Sequence, residues 1–408
     1  MLRGISRLMG GYAMERRDLR LLYLAVFLSF LGASITFPLR MLYAQRHHAT
    51  PAELGLMAAA FLLAPLLAQI PMGWLVDRWG RVPVLLLGLI THPILSLLYI
   101  WLYSPPEQIA IRFLEGIAVA AFQPAVAAYI ADVTPEEHRS EAYGVLGATL
   151  NGGLLIGPLF GGLIGQYFGF TAAYVVNFAI EAVAIPLVLG HVREPQVHKE
   201  HHTSAGGAWS SLFSVPLVAI YLTYACMQAA MGMLSALWAI WVHDLGGSYS
   251  FIGITFTVFA LPQIFLGAGA GRIADRFGRA PFLLASGIFA GLIYVAYGFM
   301  TNLLLITFLG LIEGVVLVFQ MPVAQGLLAA ASPMQARGRA QGMAGALGAI
   351  GGSTMALVSL PLYHNSRPLP FIISGAIIAI GGAAGFGGAV VFGRRRASAI
   401  EDLAPQSA

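Results

Sequence analysis

Apolar residues in this chain run on for about twenty positions at a time and stop at short polar breaks that collect most of the charge. A helix needs about 20 predominantly apolar residues to cross a bilayer. Twelve such segments are predicted, over 20–39, 53–75, 82–103, 108–131, 142–165, 171–190, 213–241, 250–271, 281–300, 303–331, 340–362 and 369–392. The expected fold class is therefore an all-α integral membrane protein with 12 transmembrane helices. Composition agrees: 58% of the residues are hydrophobic and 10% charged, whereas soluble domains carry about 25% charged residues. The single cysteine, Cys226, excludes an internal disulfide.

The polar breaks set an orientation. With the N-terminus inside, 18 of the 22 Lys and Arg residues fall on the inner side; Arg40, Arg46 and Arg367 fall outside and Arg112 lies within a span. That bias follows the positive-inside rule and predicts a multi-pass protein of the plasma membrane with both termini cytoplasmic. Residues 1–18, with Arg3, Arg7, Arg16 and Arg17, read as a cytoplasmic N-terminal tail, 394–408 as a C-terminal one, and 191–210 as a cytoplasmic linker. The basic residues form no stripe with interleaved aromatics, which argues against nucleic acid as a partner. His191, His198, His201 and His202 of the linker match no tight ligand spacing, so no metal is expected there.

A repeat organises the whole. Displacing the sequence by 198 positions superposes "GWLVDRWGRVPVLL" (73–86) on "GRIADRFGRAPFLL" (271–284), and the same register carries Glu115 to Glu313, Gly116 to Gly314, Pro124 to Pro322, Pro135 to Pro333, Arg139 to Arg337 and Gly144 to Gly342. The chain is expected to form two pseudo-symmetric six-helix bundles, 19–190 and 211–393, in parallel orientation. Halves of that kind meeting at the midplane are the architecture of alternating-access transporters. No nucleotide loop, catalytic triad or metal cluster is evident, so neither an enzyme nor an organic cofactor is expected; the proton is the expected coupling ion.

The doubled string has the spacing G-x-x-x-D-R-x-G-R, carried by Gly73, Asp77, Arg78, Gly80 and Arg81 and again by Gly271, Asp275, Arg276, Gly278 and Arg279. A generic inner loop explains its arginines but not its aspartate and glycines. The glycines allow a tight turn and close approach, and the aspartate suits a neighbouring helix N-terminus or an arginine. This string resembles the signature of the major facilitator superfamily, with Ile273 in place of the usual leucine in the second copy. The resemblance implies the twelve-helix facilitator fold and a gating loop that locks the cytoplasmic side.

Inside the spans, ionisable groups are costly and are usually paired or face water. Arg112 and Glu115 share a helical face in the fourth span; Arg112 and Gly116 are similar to the family's R-x-x-x-G signature, which in proton-coupled members implies coupling. Glu313 is the repeat mate of Glu115, but Gly310 stands where the arginine would be, leaving an acid suited to carry a proton or meet a cationic ligand. Glu181, four residues after Asn177, is a third acid within a span. These four residues, Arg112, Glu115, Glu313 and Glu181, are the candidates for proton coupling, each weighed against a purely structural pairing.

In the fifth span, Gly153, Gly157, Pro158, Gly161 and Gly162 form G-x-x-x-G-P-x-x-G-G. The bland reading is a small-residue packing seam; the string is also similar to the family's antiporter signature, which implies export. Phe30, Arg40, Gln123, Tyr224, Gln228 and Met231 are candidate cavity residues, since aromatic and Met surfaces suit apolar ligands. The expected function is a monomeric secondary transporter exporting amphipathic small molecules against protons by alternating access. A lipid or lipid-linked glycan flippase and a sugar or metabolite symporter of the same fold remain alternatives; a receptor or scaffold, expected to carry a sensor domain, is the remote one.

Overall fold

A computed structural model describes the backbone of residues 2–195, 212–333 and 336–403, and the side chains there except at 2–16, 137, 140, 267, 268, 270–272, 275, 277 and 394–403. Among the described residues every regular element is helical: α1 (Leu2–Ile35), α2 (Arg40–Arg46), α3 (Pro51–Trp79), α4 (Arg81–Leu98), α5 (Pro105–Val133), α6 (Arg139–Tyr167), α7 (Gly169–His191), α8 (Val215–Asp244), α9 (Tyr249–Phe277), α10 (Arg279–Phe299), α11 (Leu303–Ala331), α12 (Arg337–Asn365) and α13 (Leu369–Leu403). Twelve stretches are long and apolar enough to cross a membrane, and they match the predicted spans one for one. α1 and α13 run on beyond their spans, so much of both expected tails is helical backbone. Of the linker, residues 196–210 lie outside the described part, and with them His198, His201 and His202.

Local chemistry sets the ends. Thr50 accepts a hydrogen bond from the Glu53 amide (3.3 Å) while Glu53 accepts one from the Thr50 amide (2.8 Å), a reciprocal box that starts α3 at Pro51. Glu107 accepts from the Ser104 amide (3.0 Å) ahead of Pro105 in the same way. Asn302 takes the Leu304 and Leu305 amides at the head of α11. The first span differs from its expected continuous form, because Pro38 lacks an amide hydrogen and restricts Phe37 before it. The chain turns through Thr36–Leu39, closed by Phe37 N–H to Ser34 O (3.2 Å) and Arg40 N–H to Thr36 O (3.0 Å), and restarts as α2. Arg40, expected on the outer side, is thereby buried at 3% exposure.

Two compact units divide the molecule. The first holds α1–α7 together with Ala239–Thr257, the end of α8 and the start of α9; the second holds the remainder of α8 and α9 with α10–α13. The unit boundary therefore departs from the expected 19–190 and 211–393 division by taking that one hairpin into the first unit. Within the first unit α1 packs on α6 and α7, α3 on α5, and α4 on α5 and α7. Its core gathers Leu22, Val26, Leu85, Phe122, Tyr129 and Ile130. In the second, α10 packs on α11 and α13 around Leu217, Tyr221, Leu283, Leu327 and Leu328.

Close backbone approach replaces side-chain interlock at several crossings, as expected where lipid offers no hydrophobic drive for helices to associate. A Cβ on Gly116 would stand 2.8 Å from the Phe61 carbonyl, and one on Gly314 would strike the Phe259 carbonyl. Both glycines and both phenylalanines are related by the 198-residue offset, so the repeat is a repeat of contacts as well as letters. On α6, a Cβ at Gly157 would collide with Ser34 Oγ and one at Gly161 with the Ile35 carbonyl. Gly161→Ala is expected to cost about 1–3 kcal/mol, read as a fall in thermal unfolding midpoint in detergent. Gly144→Ala, on the same helix with open space around it, should leave the midpoint level or raised; equal losses for the two would refute the close-approach explanation.

Candidate functional site

The first unit buries a cluster of charge. α5 places Arg112 and Glu115 one turn apart, and Arg112 Nη1 donates to Glu115 Oε2 at 2.9 Å. From α2, Arg40 Nη2 donates to the other carboxylate oxygen at 3.1 Å. One carboxylate thus holds two guanidiniums, and all three side chains are almost wholly buried. The Arg112 guanidinium also lies 3.7 Å over the Phe61 ring of α3, a geometry worth about 2 kcal/mol when desolvated. Charges at this depth persist only when paired and hydrogen-bonded. The predicted Arg112–Glu115 pair is present; Arg40, expected as a cavity residue, is in addition its third member.

A second buried pair lies on α4 and α7. His92 Nδ1 stands 2.9 and 3.1 Å from the two oxygens of Glu181, neither residue being open to solvent. Asn177, one turn earlier on α7, donates to Thr36 Oγ1 at 3.3 Å, beside the break in the first span. Glu181, a candidate from the sequence, thus has a partner that the sequence does not announce. His92 is separated from it by 89 residues, and the only sequence signal was a lone histidine inside an otherwise apolar segment.

These groups flank a cavity of about 240 Å³ inside the first unit. Phe30, Phe37, Phe61 and Phe122 form its apolar wall, and Arg40, His92, Arg112 and Gln123 its polar one. Phe30 and Phe122 meet with ring centroids 6.4 Å apart, and Phe37 packs edge-on against Phe256 at 5.2 Å. Four predicted residues, Phe30, Arg40, Arg112 and Gln123, are brought together here. Glu115 stays behind the arginines and does not line the space.

In the second unit, Glu313 of α11 is buried and accepts a 2.8 Å hydrogen bond from the Tyr297 hydroxyl of α10. The Tyr294 hydroxyl of the same helix also faces this carboxyl. Trp238 closes over Tyr297 edge-on at 5.1 Å. The three remaining cavity candidates follow one face of α8 but differ in setting. Tyr224 packs on the unit's core, Gln228 lies against Gly348 of α12, and Met231 is exposed.

At the doubled string, Gly80 and Gly278 occupy equivalent turns with φ of 101° and 93°, a region that side chains disfavour. Asp77, expected to meet a neighbouring helix N-terminus or an arginine, is exposed, and the head of α4 is capped by Glu194. Its carboxylate accepts from the Arg81 and Val82 amides at 2.7 and 2.8 Å, where unpaired amides and the helix dipole favour an anion. Arg81 Nε donates to Asp132 of α5 at 2.7 Å, and Arg78 lies over Trp74 at 5.2 Å. In the second copy, Arg279 lies against Gly326 of α11 and Arg276 is exposed; Gly271 is described in its helical backbone only, and the Asp275 side chain lies outside the described part. Position 330, the repeat mate of Asp132, is alanine, so the two copies share a turn but not the acid that pairs with Arg81.

The fifth-span string is packed on two sides. Gly153, Gly157 and Gly161 face the α1 backbone, and a Cβ on Gly162 would strike the Tyr249 carbonyl. Gly253 lies against the Pro158 carbonyl, and Thr257 donates to Leu155 O at 3.1 Å. These five residues serve backbone packing within the unit; none lines the cavity.

The Major Facilitator Superfamily family model matches residues 22–237 and 220–405. A multidrug resistance protein of Bacillus subtilis is 28% identical over 281 residues, covering 65% of this chain and 69% of that one. The multidrug resistance protein MdtG of Klebsiella pneumoniae is 26% identical over 336 residues, covering 79% and 81%. Among solved structures, a bacterial homologue of the human lysosomal transporter Spinster, inward-facing and unoccupied, superposes with a TM-score of 0.77 at 16% identity, covering 93% of this chain and 98% of that one.

Proposed function

Because the chain belongs to the major facilitator superfamily, and is a multi-pass membrane transporter for small molecules rather than an enzyme, we propose that it exports amphipathic molecules in exchange for protons. The observation that carries this reading is the first unit's cavity, where an aromatic wall faces a buried cluster of paired charge. Apolar walls with a few fixed polar groups accept ligands of varied shape. A sugar would leave most of its hydroxyls unpaired against four phenylalanines. The multidrug resistance relatives support export as the direction.

Proton movement is assigned to Glu313. Glu115, clamped by two guanidiniums, acts as their fixed counter-charge and has no free oxygen with which to exchange a proton. Glu313 faces only the phenols of Tyr297 and Tyr294 and has no ion pair among the described residues. The His92–Glu181 pair supports a second, local proton position beside the cavity. The Lys and Arg bias supports cytoplasmic termini in the plasma membrane, and a cavity built within a single chain supports a monomer as the working unit.

The test is uptake into inverted proteoliposomes under an imposed pH gradient, acid inside. Accumulation of an amphipathic dye that collapses when the gradient is discharged is the expected result. Accumulation indifferent to the gradient would remove proton exchange, and gradient-driven uptake of sugars alone would remove the amphipath.

A further inference from the structure

The cavity's charge is unbalanced. Arg40 and Arg112 share the single carboxylate of Glu115, leaving one positive charge in excess. His92 and Glu181, with one proton shared between them, sum to zero. No aspartate or glutamate lines the cavity, whereas Arg40, His92 and Arg112 all do. Both arginines are at least nine-tenths buried, at 3% and 4% exposure. Even so, their Nε groups have no hydrogen-bond partner.

Each feature is costly as it stands. A buried donor left unpaired costs about 1–3 kcal/mol, and an uncompensated charge away from water costs more. A carboxylate or sulfonate entering the cavity would relieve both, because a guanidinium offers its Nε and Nη hydrogens as a fork matched to two oxygens. The phenylalanine wall would take an apolar body attached to that anion. A cation would instead meet two like charges with no acid to receive it.

Resting on the export reading above, we infer that the substrate class is amphipathic organic anions, an aromatic or alkyl body bearing one carboxylate or sulfonate. The anionic group sits at Arg40 and Arg112, and Gln123 lies on the wall beside the body.

Three probes with one fluorophore and different charge test this: dansylglycine (anionic), dansylamide (neutral) and dansylcadaverine (cationic). Binding to the full-length protein in phosphatidylcholine nanodiscs should favour dansylglycine over dansylcadaverine by about tenfold or more. Gln123→Glu adds a carboxylate at an exposed wall position without touching the ion pairs, and should cut that preference by about tenfold. Equal binding of all three probes, no saturable binding, or a preference for dansylcadaverine overturns the inference. So does displacement of dansylglycine once phosphatidylglycerol is included in the discs, which would assign the arginines to lipid. Proteoliposome uptake keeps the two readings apart. Gradient-driven transport of dansylcadaverine without dansylglycine preserves export and refutes the anion site; selective dansylglycine binding without transport of any probe preserves the site and refutes export.

Discussion

Glu115→Gln is expected to destabilise the protein by about 3–5 kcal/mol, and by clearly more than Arg112→Gln. The asymmetry follows from stoichiometry. Removing the carboxylate's charge strands both Arg40 and Arg112, which donate to it at 3.1 and 2.9 Å from nearly complete burial. Removing Arg112 leaves a balanced Arg40–Glu115 pair and forfeits one charged hydrogen bond and the contact with Phe61. Breaking a buried pair is expensive chiefly through the uncompensated partner left behind, so two stranded cations outweigh none. The Arg112→Gln/Glu115→Gln double variant should be no less stable than Glu115→Gln alone, since it strands one cation instead of two. Unfolding midpoints in detergent order the three variants. A series in which Arg112→Gln is the most damaging would mean that packing over Phe61, and not charge balance, governs the cluster.

Which features of this cluster were legible in the sequence has a physical explanation. Arg112 and Glu115 are neighbours on one helix, and the 3.6-residue period alone places them together. The charge bias puts Arg40 on the outer side, just past a continuous first span, although its place beside that span also suits a cavity. Pro38 breaks the span, and the restart as α2 carries Arg40 inward. His92–Glu181 and Glu194–Arg81 bring together residues 89 and 113 positions apart. Such partnerships depend on how each helix is rotated about its axis. In a soluble helix an apolar stripe reports that rotation; in α3 or α7 apolar residues face protein and lipid alike, and the stripe disappears. Repetition survives that loss. The twelve spans are readable from apolar length alone, and the equivalent Gly80 and Gly278 turns from one offset of the sequence. The same offset also marks where the halves differ, as at Asp132 and Ala330.

Glu313→Gln is expected to abolish substrate accumulation driven by a pH gradient while leaving equilibrium binding and gradient-independent exchange intact. Glutamine preserves the shape of the side chain and still offers Tyr297 an acceptor in place of the 2.8 Å bond to Glu313, so the fold has no reason to change. What it cannot do is take up and release a proton. Tyr297→Phe deletes the donor and keeps the acid, and should slow gradient-driven transport without abolishing it. On this reading the proton must in addition reach the carboxyl from one side and leave to the other. Proteoliposome accumulation under an imposed gradient, set against counterflow in its absence, separates coupling from movement of substrate. If Glu313→Gln retains full gradient-driven accumulation, coupling moves to the buried acid that already faces a proton-sharing partner, Glu181 beside His92. His92→Gln would then have to show the uncoupled behaviour in its place, because His92 holds its proton at the cavity wall.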